Sequence, residues 1–302
     1  MKLLSYLCLA LVLIATSCKR DFKTDGSGVV YIKFTNEDGP RIKQGDFLSM
    51  NVLAKTDLDS VIENSEDYGV PRLLILPAQA FKGDNFDALK LLTEGDSIAV
   101  KQPVDSIFKT TPKPANFKGK YIVYNIKVLK VIPRQKMDDA QLMEKATAYL
   151  KSLNAGLKIA EPKRIEKFIR QKNLVTTKTN SGLCYHVITK GNGPLLQTGD
   201  TAVINYTGKL LSDKAFDTNI YKDAITANLF DAKHKYRPVA IPLGQKKLIT
   251  GLEQGLLLLN KGAKAIFVIP SALAYGDTGF NIVAAYTPIV YTIEVKDVIH
   301  PK

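Results

Sequence analysis

The 302-residue chain contains no tryptophan, only three cysteines and only three histidines. His186, His234 and His300 are scattered, with no cysteine or carboxylate at ligand spacing, so no metal site and no cofactor are expected. No glycine-rich phosphate loop and no G-x-S-x-G elbow occurs, which argues against nucleotide-binding and serine-hydrolase readings. The apolar run 3–16 behind Met1-Lys2 is too short to span a bilayer and reads as a signal peptide, residues 1–17. Charge is one-sided: 42 Lys and Arg against 29 Asp and Glu give +13. The lysines are spread along the chain without an aromatic-interleaved patch. They predict a solvated basic surface, with affinity for anionic lipid and not for nucleic acid.

The leader ends in Ala15-Thr16-Ser17-Cys18, which resembles the lipobox of bacterial lipoproteins, although that motif more often has Leu where Ala15 stands. The resemblance implies cleavage before Cys18, acylation there and a stable membrane tether over 18–27. It also implies a Gram-negative cell envelope, at the outer membrane or on the periplasmic side. Cys8 would leave with the leader and Cys18 would be acylated, so no intramolecular disulfide is expected. Cys184, inside the strand-like segment 183–188, reads as a small buried residue and not a nucleophile.

What is present is a phrase written twice. GPRIKQGDFLSMNV, 39–52, returns as GPLLQTGDTAVINY, 193–206; the offsets 193 − 39 and 205 − 51 are both 154. Further on, Lys101-Gln-Pro103 matches Val268-Ile-Pro270 and Ile122-Val-Tyr124 matches Ile289-Val-Tyr291, both at an offset of 167. Two constant registers separated by one insertion of 13 residues (167 − 154) predict a tandem duplication of one α+β module. Strand patterns fall at 29–34, 47–54 and 121–132, then at 183–189, 201–209, 263–269 and 289–299. Between the two sets, Leu142, Met143, Ala146, Tyr149, Leu150 and Leu153 form a helical stripe. A second helix is expected from Pro162, with Ile165, Phe168 and Ile169 on one face. The resulting division is 28–134, a helical linker 135–176, and 177–302.

The second copy carries a specific set of motifs: Val203-Ile-Asn-Tyr-Thr-Gly-Lys-Leu210, Lys214-Ala-Phe-Asp217, Pro242-Leu-Gly244, Leu248-Ile-Thr-Gly251 and Glu253-Gln-Gly255. Ile269-Pro270, Ala274-Tyr-Gly276 and Val290-Tyr-Thr-Ile-Glu-Val295 follow. In order and spacing, about residues 165–299 resemble the FKBP-type peptidyl-prolyl cis-trans isomerases. The approach, with Ser181-Gly-Leu183 and Gly191-Asn-Gly193, is similar to their long-helix bacterial branch. The resemblance implies a twisted antiparallel sheet wrapped on a short helix at 248–259, and an apolar hollow that takes a proline. Carried over position by position, Tyr206, Asp217, Tyr275 and Ile249 would be the catalytic groups, with the Tyr275 hydroxyl and the Ile249 N–H donating to the carbonyl. Asp217, partly buried, would supply the local field. Phe216, Val239, Ile241, Leu248, Leu252, Tyr291 and Ile282 or Val283 would form the wall and floor.

The chain departs from the family at several of these positions. The floor tryptophan is replaced by Leu252, Val239 and Ile241 stand where aromatics are usual, and the loop after Gly276 lacks its usual pair of prolines. A wider aliphatic floor, reduced activity and weak binding of macrolides such as tacrolimus are implied. The insertion 218–237 reads either as a short helix over 220–230, N-capped by Asn219 or Thr218, or as a surface excursion. In the first copy the matching positions are Val52, Ile62-Glu63, Asn85 and Phe108, so that copy is expected to keep the scaffold without catalysis. The implied partners are proline-containing polypeptides and, through Cys18, a membrane; the chain is expected to act as a monomer. A binding protein that grips proline without turning it is the alternative.

Overall fold

The computed structural model describes residues 21–78, 83–109, 112–113 and 117–301; the leader, the lipobox and Cys18 lie outside them. The first module contains strands β1 (Lys23–Thr24), β2 (Val30–Lys33), β3 (Phe47–Thr56), β4 (Val61–Asn64) and β5 (Arg72–Ile75), helix α1 (Asn85–Leu89), strand β6 (Ser97–Pro103), helix α2 (Val104–Ile107) and strand β7 (Tyr121–Ile132). The order across its sheet is β1-β2-β6-β7-β3-β4, with β5 also on β3. Helix α3 (Asp139–Gln171) follows. The second module contains β8 (Thr177–Lys178), β9 (Cys184–Thr189), β10 (Asn192–Leu195), β11 (Thr201–Leu210), β12 (Ala215–Thr218), α4 (Tyr221–Thr226), β13 (Val239–Pro242), α5 (Thr250–Leu256), β14 (Asn260–Lys261), β15 (Lys264–Ile269) and β16 (Ile289–Ile299). Its main sheet runs β8-β9-β15-β16-β11-β12, with β13 on β11; β10 and β14 pair separately.

The two sheets share one order, and the echo extends to their irregularities. The β3–β7 ladder slips between Ser49 and Met50, and the β11–β16 ladder between Val203 and Ile204, 154 residues on. The β3–β4 ladder slips between Ala54 and Lys55, and β11–β12 between Gly208 and Lys209, again 154 on. A bulge re-aims every side chain beyond it, so its recurrence fixes the same faces inward in both modules. The Gly-Asp of the repeated phrase has a matching job in each copy. Gly45 and Gly199 take φ of +89° and +99°, a left-handed turn that suits glycine. The buried Asp46 then accepts the Lys43 N–H at 2.7 Å and Asp200 accepts the Gln197 N–H at 2.8 Å.

The insertion lies between β12 and β13, in the place occupied in the first module by the one-turn 3-10 helix Ser65–Tyr68 between β4 and β5. Its base is pinned in the same way in both copies. Ser65 Oγ accepts the Val52 N–H at 2.9 Å, and Asn219 Oδ1 accepts the Tyr206 N–H at 2.7 Å. The helix within the insertion is Tyr221–Thr226 and its N-cap is Ile220, without a side-chain cap. Asn219 is instead engaged with Tyr206, Ile204 and Arg237, and Thr218 accepts the Ile220 N–H.

Three further expectations are corrected. Residues 18–27 are not wholly a tether, because Lys23 and Thr24 pair with Tyr31 and Val30. The linker holds one helix of 33 residues, not two, and Pro162 lies inside it. It starts at a capping box in which Asp138 accepts the Gln141 N–H at 2.8 Å and Gln141 accepts the Asp138 N–H at 3.2 Å. Leu142 and Ala146 pack with Phe47 and Ile132 on the first module, whereas Met143 of the stripe is half exposed. Ile165 and Phe168 pack with Cys184, Val268 and Val290 on the second. Packing at both ends holds the helix through the proline, and the intervening turns are largely exposed.

Candidate active site

In the second module the core of Leu183, Ile204, Leu256, Phe267, Ile289 and Ile293 closes the sheet onto α5. The helix can approach because Gly255 faces Phe267, where a Cβ would come within 2.6 Å of the ring. Beside this contact is a cavity of about 440 Å³. Ile204 and Tyr206 reach it from β11 and Tyr291 and Ile293 from β16, since alternate residues of a strand share a face. Asp217 comes from β12, Val239 and Ile241 from β13, Leu248 and Ile249 from the two positions just before α5, and Leu252 from its first turn. Lys247, Tyr275 and Phe280 complete the lining.

The polar atoms gather at one end. Tyr206 donates its hydroxyl to Asp217 Oδ2 at 3.1 Å. The Tyr291 ring packs 5.9 Å from that of Tyr206 and edge-on, at 5.8 Å, to Phe216. Gly208 leaves room for both, because a Cβ there would lie 2.8 Å from the Tyr291 ring and 2.9 Å from Phe216. Burial raises the pKa of Tyr206, Tyr275 and Tyr291, and the Asp217 charge adds to each rise. All three therefore remain proton donors at and above neutral pH. Ile249 is the N-cap of α5, and its N–H has no acceptor among the described residues.

Nine of the twelve site residues named from the sequence thus line one cavity: Tyr206, Asp217, Val239, Ile241, Leu248, Ile249, Leu252, Tyr275 and Tyr291. Phe216 stands behind Tyr291. Asp217 is exposed, not partly buried, because β12 is a four-residue edge strand at the cavity mouth. Neither Ile282 nor Val283 is a lining residue. Phe280 and Val283 exchange backbone hydrogen bonds of 2.8 and 2.9 Å across a tight turn, which puts Val283 into the core and stacks Phe280 on Tyr275 at 5.2 Å. Ile282 faces the groove between the modules. Sequence reasoning missed Ile204, Ile293, Lys247 and Phe280; strand alternation with Tyr206 and Tyr291 could have found the first two. Among the described residues no group of three His, Cys, Asp or Glu could hold a metal ion. Cys184 is buried and burial raises its pKa, which suits packing better than nucleophilic attack.

Residues 193–296 match the family described as FKBP-type peptidyl-prolyl cis-trans isomerase. This segment is therefore similar to an FKBP-type isomerase domain. The chain is 31% identical over 165 residues to a probable FKBP-type peptidyl-prolyl cis-trans isomerase of Haemophilus influenzae, covering 54% of this chain and 61% of that protein. It is 32% identical over 133 residues to the FKBP-type isomerase FkpA of Escherichia coli, covering 44% and 43%. The chain therefore spans about half the length of these relatives. The crystal structure of FkpA from Escherichia coli overlaps 54% of this chain and 68% of that one, at 28% identity and a TM-score of 0.43.

The first module has a smaller cavity, about 230 Å³, in the place matching that of the second module. Val52, Glu63 and Asn85 line it as the alignment predicts, with Met50, Tyr124 and Ile126 at the positions of Ile204, Tyr291 and Ile293. Ile62 is turned out, and Phe108 packs instead against Phe117 at 5.5 Å, so neither lines the cavity. Tyr124 keeps the hydroxyl of Tyr291, as the match of 122–124 to 289–291 implies. Arg72 enters where Val239 stands in the second copy, and it pairs with Glu63 at 3.0 Å.

Proposed function

We propose that the chain is a prolyl isomerase of the cell envelope, acting as a monomer tethered through Cys18, whose second module turns X-Pro bonds of exported polypeptides. The observation that carries this is the convergence of Tyr206, Asp217, Tyr275 and Ile249 on one apolar cavity large enough for a prolyl residue.

Rotation about an X-Pro bond must overcome a barrier of about 18–20 kcal/mol set by amide resonance, so the unaided step takes tens to hundreds of seconds. No bond breaks and no nucleophile is required. The planar amide is the more polar state, because resonance places negative charge on its carbonyl oxygen. The twisted amide has lost that resonance, so removal from water costs it less. Leu252, Val239, Ile241 and Tyr291 would hold the ring in such a dry environment, while Tyr275 and the Ile249 N–H fix the carbonyl through the twist. Lowering the barrier by about 5–8 kcal/mol would accelerate exchange roughly 10⁴–10⁶-fold.

The second reading, a holder that grips proline without turning it, is favoured by Leu252 in place of an aromatic floor. Exchange NMR on a panel of X-Pro peptides with residues 19–302 separates the two. Cis–trans exchange cross-peaks at substoichiometric protein are expected. Binding shifts without accelerated exchange, on every peptide, would leave only the holder.

A further inference from the structure

The loop that carries Tyr275 is held from outside its own module. Glu161, on α3, is only 9% exposed, and both its carboxylate oxygens go to one residue. Oε1 accepts the Ser271 N–H at 2.5 Å and Oε2 accepts the Ser271 hydroxyl at 2.7 Å. Ser271 is itself buried at 3% exposure, and its carbonyl accepts the N–H groups of Ala274 at 2.9 Å and Gly276 at 2.8 Å. Gly276 in turn accepts the Tyr286 N–H at 2.9 Å. Tyr275 sits between the two residues that Ser271 fixes. A buried carboxylate is retained against its desolvation cost only where its partners are well placed, and here both are on this loop.

The helix is seated by the first module on the same side. Arg164, one turn after Glu161, is largely buried, and its Nη1 has no partner among the described residues. Gly69 covers it with φ of +70°, and a Cβ at that glycine would collide with the guanidinium. The neighbouring Asp67 carbonyl accepts the Ser212 hydroxyl at 2.7 Å, and Lys214 lies 4.8 Å over the Tyr68 ring. The 3-10 turn of the first module thus bears on the β11–β12 hairpin that leads to Asp217.

We propose that Glu161 is a positioning residue: through Ser271, the inter-module helix holds the Tyr275 hydroxyl within reach of the prolyl carbonyl. This rests on the isomerase reading, and it gives the first module a part in turnover that needs no pocket of its own.

The test measures kcat and KM by exchange NMR, together with the Tyr275 ring resonances, in otherwise intact residues 19–302. Glu161→Ala is expected to lower kcat about ten-fold with KM within about two-fold, and to move the Tyr275 ring signals, because the substrate pocket is untouched while its donor drifts. Glu161→Gln should restore both, since its amide oxygen accepts the Ser271 N–H and its amide nitrogen donates to the Ser271 oxygen. Ser271→Ala, keeping one of the two bonds, should fall between. A folded Glu161→Ala with wild-type kcat, or Glu161→Gln as impaired as Glu161→Ala, would overturn the proposal. If Glu161→Ala does not fold, wild-type turnover in Ser271→Ala overturns it. A wild-type chain without turnover refutes the isomerase reading instead. Unmoved Tyr275 signals in Glu161→Ala and Ser271→Ala would then dispose of the positioning claim separately.

Discussion

At the scale of single residues, the second cavity differs from the first by where hydroxyls stand. Tyr206 is replaced by Val52, and the position of Tyr275 by Phe108, which has left the cavity altogether. If Tyr275 holds the rotating carbonyl, Tyr275→Phe should lower kcat/KM about ten-fold, the loss of roughly one hydrogen bond of 1–1.5 kcal/mol. Unchanged kcat/KM would remove Tyr275 from the mechanism. The raised pKa values of Tyr206, Tyr275 and Tyr291 carry a sign as well. A group held above its usual pKa of about 10 keeps its proton to higher pH. Turnover should therefore show no alkaline decline between pH 7 and pH 10 that is assignable to these hydroxyls. A descending limb near pH 9 that disappears in Tyr275→Phe would contradict their burial.

At the scale of elements, two glycines and one proline can be tested. Gly255 lets α5 lie against Phe267, so Gly255→Ala should overpack that contact and cost about 1–3 kcal/mol in chemical denaturation. A neutral result would mean that α5 can move away freely. Gly208 does the same for Tyr291 and Phe216, and filling it should disturb the cavity more than the fold. Pro162 lies inside α3, where its ring nitrogen cannot donate to the Lys158 carbonyl. Pro162→Ala should restore that bond and raise the thermal midpoint, consistent with a gain of about 1–3 kcal/mol. A lower midpoint would show that the proline shapes the helix between its two docking faces.

At the scale of the whole molecule, the duplication was legible because it is written in spacing. The offsets of 154 and 167 locate the strands, the bulges and the insertion between β12 and β13. Most of the cavity was legible too, since Tyr206, Asp217, Ile249, Tyr275 and Tyr291 sit in short motifs whose order survives. The continuity of α3 was not. A proline at 162 suits a first turn, and only packing at both ends, on Phe47 and on Val268, decides that it lies mid-helix. The choice between Ile282 and Val283 was open because the turn at 280–283 has no periodicity; its two backbone bonds, not its residue types, put Phe280 in the cavity. The grip of Glu161 on Ser271 joins residues 110 positions apart, beyond the reach of any local pattern.

The central claim is that turnover resides in the second cavity alone. It is tested most directly by the cis–trans exchange rate of one well-turned X-Pro peptide, with wild-type chain and with the double variant Tyr275→Phe, Asp217→Ala. Both proteins should be folded, and the variant should reduce the exchange rate to within a few-fold of the uncatalysed peptide. Exchange that persists at the wild-type rate in the folded double variant would place catalysis elsewhere in the molecule and contradict the account.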